Sequence, residues 1–306
     1  MFISLQLTSS DDKTRHRATM LLADILHLPS LQEDDLEPAT IHLFVVFFCH
    51  RLSDYPSIVP SLSALLALIK FHAKSFNPKY CDVLDIFQTI FKELEIGGLA
   101  QTIRQKVFDL FLAILTSPCI QADKNSDKKS FTIELFGSES VCLNIFSGLI
   151  NAMEGEKDPR CLVAALSMLE KAVKYFSFLF EKKSSLQEDS AKIDDALEKL
   201  FDSVACYFPI TFAPPSDDPY GVTTEALILA LENVLCAHSS LHKHVLPFLV
   251  DHLTDELTLG RVQATNILIR LGSSEEYSPK VFRYVAPEDS DEIGNENTIL
   301  SAMVER

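Results

Sequence analysis

The sequence predicts an all-α solenoid of stacked antiparallel helix pairs. Apolar residues recur at three- and four-residue intervals through nearly the whole chain, the mark of amphipathic helices rather than strands. Glycine is sparse, 9 in 306 residues, well below average usage of roughly 7%, which disfavours turn-rich β architectures. Pro38 and Pro78, 40 positions apart, stand where helices begin and a missing N–H costs nothing.

The first helix, near 11–27, carries Met20, Leu21 and Ile25. Pro38 opens the second, 38–52, behind Glu33, Asp34, Asp35 and Glu37, whose charges suit a helix N-terminal dipole. Leu62, Leu65, Leu66 and Ile69 mark 57–73. Asn77 and Pro78 cap and open 78–95, with Val83, Leu84, Phe87, Ile90, Phe91 and Leu94 on its apolar face. Helices near 99–116 and 139–153 follow, separated by residues 117–138, read as a polar surface loop from Asp123 to Lys129. Gly155 ends one helix, Asp158 caps the next and Pro159 opens it over 159–182. Helices near 190–206, 223–237, 240–253 and 255–271 complete the series, the second of these with a face of Leu227, Leu231, Val234 and Leu235.

Eleven helices at roughly 40 residues per pair, without a strict consensus, match the HEAT/armadillo type of α-solenoid. A compact bundle is the competing architecture, but about 300 residues exceed the usual single-core limit. Residues 1–274 are read as the solenoid and 275–306 as an acidic, frayed tail. Residues 207–222 form a long proline-rich, aromatic connection, of the kind that folds onto its own domain.

A formal net charge of −16 repels a phosphate backbone, and no basic run offsets it, so direct nucleic-acid binding is not expected. The longest apolar run, Leu43 to Cys49, is seven residues, whereas a membrane span needs about 18 or more. The opening segment lacks the basic n-region of a secretory signal. Seven cysteines lie 19 to 45 residues apart with no Cys-x-x-Cys, a pattern that fits a reducing compartment better than a disulfide framework. There is no Gly-rich phosphate loop, Gly-x-Ser-x-Gly elbow or His-Glu-x-x-His, and no enzymatic activity is expected.

The best metal candidate is Cys236, His238, His242 and His244, with His252 further on, because thiolate and imidazole at short spacing can converge on zinc or iron. The group straddles the Ser239-Ser240 turn, however, and Cys236 shares the apolar face of 223–237, so no stably bound cofactor is expected. Cys49, Cys81, Cys142, Cys161 and Cys206 lie in apolar helical stretches and are expected in the core. Turn chemistry accounts for Gly155, Asp158 and Pro159 but not for Lys157 or Arg160, which can pair with Glu156 or meet a partner carboxylate. Glu156, Lys157, Asp158 and Arg160 are therefore one candidate partner surface. Tyr207, Phe208 and Phe212, with Pro214 and Pro215, form either a small core beneath their loop or a second recognition surface.

Three stretches carry a family resemblance: Phe47-Phe48-Cys49-His50-Arg51-Leu52-Ser53-Asp54-Tyr55-Pro56-Ser57-Ile58-Val59-Pro60 followed by Leu65 to Lys70; Met153-Glu154-Gly155-Glu156-Lys157-Asp158-Pro159-Arg160; and Cys206-Tyr207-Phe208-Pro209-Ile210-Thr211-Phe212-Ala213-Pro214-Pro215 with Asp218-Pro219-Tyr220-Gly221. From about residue 8 to about residue 270 the chain resembles the N-terminal portion of the HEAT-repeat adapter family of cytosolic iron–sulfur cluster assembly, DNA repair and transcription proteins first named for methyl-methanesulfonate sensitivity. The resemblance implies a non-enzymatic scaffold, cytoplasmic and nuclear, that brings cytosolic iron–sulfur targeting proteins to apo clients such as DNA helicases and polymerases. Family scaffolds are several times longer, and the repeats that dock the targeting proteins lie in the C-terminal part that this chain lacks. The alternatives are a protein that itself carries zinc or an iron–sulfur cluster at 236–244, and a general HEAT-repeat interaction scaffold.

Overall fold

The computed structural model describes residues 2–28, 31, 36–118, 127–181, 187–214, 221–254 and 256–273. Among the described residues there is no strand, as the periodicity predicts, and there are thirteen α-helices, two more than the eleven read from the sequence, a reading that lacks Phe2–Leu7 and Lys128–Phe136. The chain divides into two compact units, Met1–Ala172 and Val173–Arg306, within what the sequence suggests is a single solenoid over 1–274. The tail 275–306 lies outside the described residues.

In the first unit, α1 (Phe2–Leu7), α2 (Asp12–Leu26), α3 (Pro38–Arg51), α4 (Ile58–Phe71), α5 (Asp82–Glu93), α6 (Gln101–Thr116), α7 (Lys128–Phe136) and α8 (Glu139–Met153) lead into α9 (Pro159–Tyr175). Helices α2, α4 and α6 lie side by side in one layer. A second layer holds α3 and α5, and α5 goes on to meet α7 and α8. This is the stacking of a solenoid: each pair closes its apolar face against the next. The central position of α4 explains its composition, since Leu62, Leu65, Leu68 and Ile69 are all buried between neighbours on several sides. Phe48, Phe87, Phe108, Phe111, Phe136 and Phe146 are fully buried, and the Phe87 ring stacks on Phe111 at 5.2 Å.

Helix starts follow local chemistry. Asp11 accepts from the Thr14 N–H at 2.8 Å to cap α2, and Ser138 accepts from Val141 at 3.3 Å to cap α8. Pro38 and Pro159 occupy first turns as expected, although Glu37 makes no side-chain cap bond. Glu33, Asp34 and Asp35 lie outside the described residues.

The helix read over 159–182 ends at Tyr175, with a 3-10 turn at Ser177–Leu179 after it, and two further readings differ from the structure. Pro78 opens a separate 3-10 turn, Pro78–Tyr80, capped by Asn77; the chain then turns through Cys81 at φ 55° before α5 begins at Asp82. Left-handed geometry at a non-glycine residue breaks the helix that the apolar pattern alone runs through. Within 117–138, residues read as loop form α7, started by an Asp127 side chain that accepts from Ser130 N–H at 3.0 Å. Gly137, at φ 92°, ends α7 and lets α8 leave at 81°.

The second unit takes the end of α9, a 3-10 turn at Ser177–Leu179, then α10 (Gln187–Ala205), α11 (Thr224–Leu235), α12 (His242–Leu253) and α13 (Thr258–Gly272). Its core is built where α10 meets α11 and α12, and where α12 packs on α13, with Leu200, Val204, Leu231, Leu235, Leu249 and Ile267 buried. No single described helix is long and apolar enough to cross a membrane.

Candidate partner-binding sites

The turn between α8 and α9 is organised around a buried carboxylate. Glu156, 6% exposed, takes two hydrogen bonds from Arg104 of α6, Nε to Oε2 and Nη2 to Oε1, both 2.8 Å. The backbone N–H groups of Lys157 and Asp158 donate to its Oε1 at 2.9 Å each. Burial works to raise the Glu156 carboxyl, but Arg104 and the two amides outweigh it, and the group titrates below the ordinary glutamate range. Glu156 is thus an internal anchor and presents no carboxylate to a partner.

Asp158 caps α9, accepting from Arg160 N–H at 3.0 Å and from Cys161 N–H at 3.4 Å, while the Arg160 guanidinium folds back on it at 2.7 Å and 3.0 Å. That guanidinium, followed by the backbone bonds, holds the Asp158 carboxyl below its usual range. Lys157 alone of the four is fully at the surface. What the turn offers a partner is the Lys157 ammonium beside a half-buried Asp158–Arg160 pair.

In the second unit, the connection after α10 packs down onto α12 and α13. Phe208, 9% exposed, sits edge-on to Phe248 at 5.3 Å and against His252 at 4.8 Å. Two residues on, buried Ile210 donates its N–H to Gln263 Oε1 at 3.0 Å and accepts from Gln263 Nε2 at 3.1 Å. The side-chain amide, itself 3% exposed, takes the place of a neighbouring strand and leaves both backbone groups satisfied. Tyr207 and Phe212 are half-buried, and Thr224 Oγ1 donates to Phe212 O at 2.8 Å. Pro214 is exposed; Pro215 lies outside the described residues. Phe208 therefore belongs to a small core, and the outward part of the segment is Thr211, Ala213 and Pro214.

The four metal candidates are engaged separately. His238 Nδ1 accepts from Ser240 N–H at 3.2 Å and its ring faces Phe180 at 5.4 Å. His242 Nδ1 contacts Ser239 O at 2.6 Å, and the His244 ring stacks on Phe201 at 5.6 Å. Burial pushes the Cys236 thiol up to about 12. No group of three or more His, Cys, Asp or Glu residues among the described residues is arranged to hold a metal ion. Cys49, Cys142 and Cys161 are buried as expected, but Cys81 and Cys206 are exposed, because each falls just outside a helix end and not on its apolar face.

Sequence reasoning missed Arg104 and Gln263, the two residues that fix these segments. Each is a polar residue on a helix whose partner lies more than fifty positions away.

A family model described as Dos2-interacting transcription regulator of RNA-Pol-II, the N-terminal MMS19 model, matches residues 3–286, and so reaches into the tail beyond residue 270, where the resemblance read from the sequence ends. The MMS19 nucleotide excision repair protein homolog of Dictyostelium discoideum is 28% identical over 86% of this chain and 20% of its own length. The homolog of the same name in Homo sapiens is 27% identical over 86% of this chain and 22% of its own. The DNA repair/transcription protein mms19 of Schizosaccharomyces pombe is 28% identical over 86% of this chain and 22% of its own. The chain spans about a fifth of the length of the curated relatives it matches.

Proposed function

The chain belongs to the Dos2-interacting transcription regulator of RNA-Pol-II family, and from that membership we propose that it is a non-enzymatic scaffold of DNA repair and transcription, acting in cytosolic iron–sulfur protein assembly. The observation that carries this reading is the family match over residues 3–286. The names of the relatives, a nucleotide excision repair protein homolog and a DNA repair/transcription protein, support its repair and transcription part and are not enzyme names. The iron–sulfur part rests on the three stretches quoted above.

Its chemistry is contact. Stacked helix pairs present side chains on a rigid frame, which holds a partner and sets its orientation with no bond made or broken. The partners on this reading are apo iron–sulfur proteins such as DNA helicases and polymerases, in cytoplasm and nucleus. On the resemblance, the targeting proteins would dock on the part of the longer family scaffolds that this chain does not match. On this reading the protein carries no cluster or zinc of its own; in its support, His238 Nδ1 accepts a backbone N–H, His242 Nδ1 meets a backbone carbonyl, and burial pushes the Cys236 thiol up to about 12. Anaerobic affinity purification followed by partner identification tests the reading. Enrichment of iron–sulfur enzymes of replication and repair is the expected result; a partner set without them favours a general interaction scaffold.

A further inference from the structure

Helices α3 and α5 leave an open groove between them on their layer of the first unit. Val46, Cys49, His50 and Ser53 line one side, Asp85, Thr89 and Glu93 the other, around a cavity of about 410 Å³. That volume lies within the roughly 300–1,000 Å³ of ligand-sized clefts. The two walls differ in chemistry for a reason visible in the sequence. On α3, Leu43 and Val46 stand one turn apart and are 68% and 49% exposed, an apolar edge on a helix whose other side is core. On α5, Asp85, Thr89 and Glu93 follow at helical spacing and put two carboxylates on the opposite wall.

This wall is short of cations. Asp82, one turn before it, is buried with its Oδ1 on the His42 ring at 2.7 Å. Glu93 pairs with its neighbour Lys92 at 3.0 Å, a side chain 81% exposed. Asp85 has no ion-pair partner among the described residues; its burial raises the carboxyl, with the His42 charge acting the other way. The Cys49 thiol on the floor bonds Thr89 and is pushed up to about 12, chiefly by burial, so it adds no charge. His50 is the basic side chain among the lining residues. A half-desolvated carboxylate beside an exposed apolar edge is matched by a segment that carries both an apolar side chain and a cation.

We propose that the α3–α5 groove docks a basic amphipathic segment of a partner protein, its Arg or Lys reaching Asp85 and Glu93 while an apolar side chain covers Leu43 and Val46. The overall charge of −16 favours the same partner by drawing basic segments in. The inference stands apart from the iron–sulfur reading, since it concerns the chemistry of the segment and not the identity of the protein that bears it.

The test pans a displayed library of roughly 16-residue peptides, long enough to span α5 as a helix, against the full chain, with selected peptides measured by fluorescence anisotropy. Selected peptides should place Arg or Lys within one helical turn of Leu, Ile or Phe. Their affinity should fall roughly tenfold or more for Glu93→Lys and for Asp85→Asn, and should weaken with added salt. Glu93 lies at the open edge, so its reversal leaves the fold intact, and an unchanged melting curve checks Asp85→Asn. Absence of binding peptides, enrichment of neutral or acidic ones, or binding indifferent to both substitutions overturns the proposal.

Discussion

Arg104 and Glu156 meet across 52 residues of sequence in a two-pronged ion pair, with both bonds 2.8 Å and the glutamate side chain 3% exposed. The pair ties α6 to the turn that opens α9, so it fixes one of the two candidate partner surfaces read from the sequence. Removing Arg104 takes the two-pronged guanidinium from a buried carboxylate that keeps its bonds from the Lys157 and Asp158 amides. Arg104→Ala should cost about 3–5 kcal/mol at neutral pH. The pH dependence follows from a glutamate held below its ordinary 4.5. Its contribution is complete above that value and is lost as pH falls through the depressed one. Urea unfolding at pH 7 and pH 3 should therefore show a wild-type advantage that narrows in acid; an equal gap at both would contradict the pairing.

Gly148 gives a prediction of unusual sign. Alanine in place of a mid-helix glycine ordinarily gains up to about 1 kcal/mol. In α8, a Cβ at Gly148 falls 2.6 Å from Cε2 of Phe91 and 2.8 Å from Cζ, so Gly148→Ala should instead destabilise by about 1–3 kcal/mol through overpacking. Thermal melts of Gly148→Ala and of the double variant with Phe91→Leu check this. The second change should restore part of the loss.

The sequence made the helices legible because their apolar periodicity is local: α2, α3, α4, α6, α8 and α12 start within two residues of the expected positions. Helix α7 was hidden because Asp127, Lys128 and Lys129 give it a polar opening turn, although Phe131, Leu135 and Phe136 follow at helical spacing. The candidate surfaces were half legible. Turn residues announced the Asp158 cap, but nothing near Glu156 announces Arg104, and nothing near Ile210 announces Gln263. Tertiary pairing decided which charged residues face inward.

The connection after α10 should behave as a core element. Phe208→Ala is expected to lower stability by about 3–5 kcal/mol. Gln263→Leu strands a buried N–H and C=O on Ile210, at about 1–3 kcal/mol for each group left unpaired. Chemical unfolding of both variants measures this, and near-wild-type stability of Phe208→Ala would instead make its ring a free recognition surface.

Metal content is a separate test. His242 is turned toward Ser239 O, and Cys236 is held as a thiol by burial. Anaerobically purified protein should hold far less than one iron or zinc per chain, and replacing Cys236 and His242 together should leave that content unchanged. Stoichiometric metal that vanishes in the double variant would restore the metalloprotein reading.

The adapter proposal is tested most directly by mixing the purified chain with an apo iron–sulfur helicase and, in a second arm, with the targeting proteins of cytosolic iron–sulfur assembly, and following each by analytical size exclusion. The account predicts a complex with the apo helicase and none with the targeting proteins, whose docking it places in the four-fifths of the relatives outside the match. A stable complex with the targeting proteins and none with the helicase would contradict it.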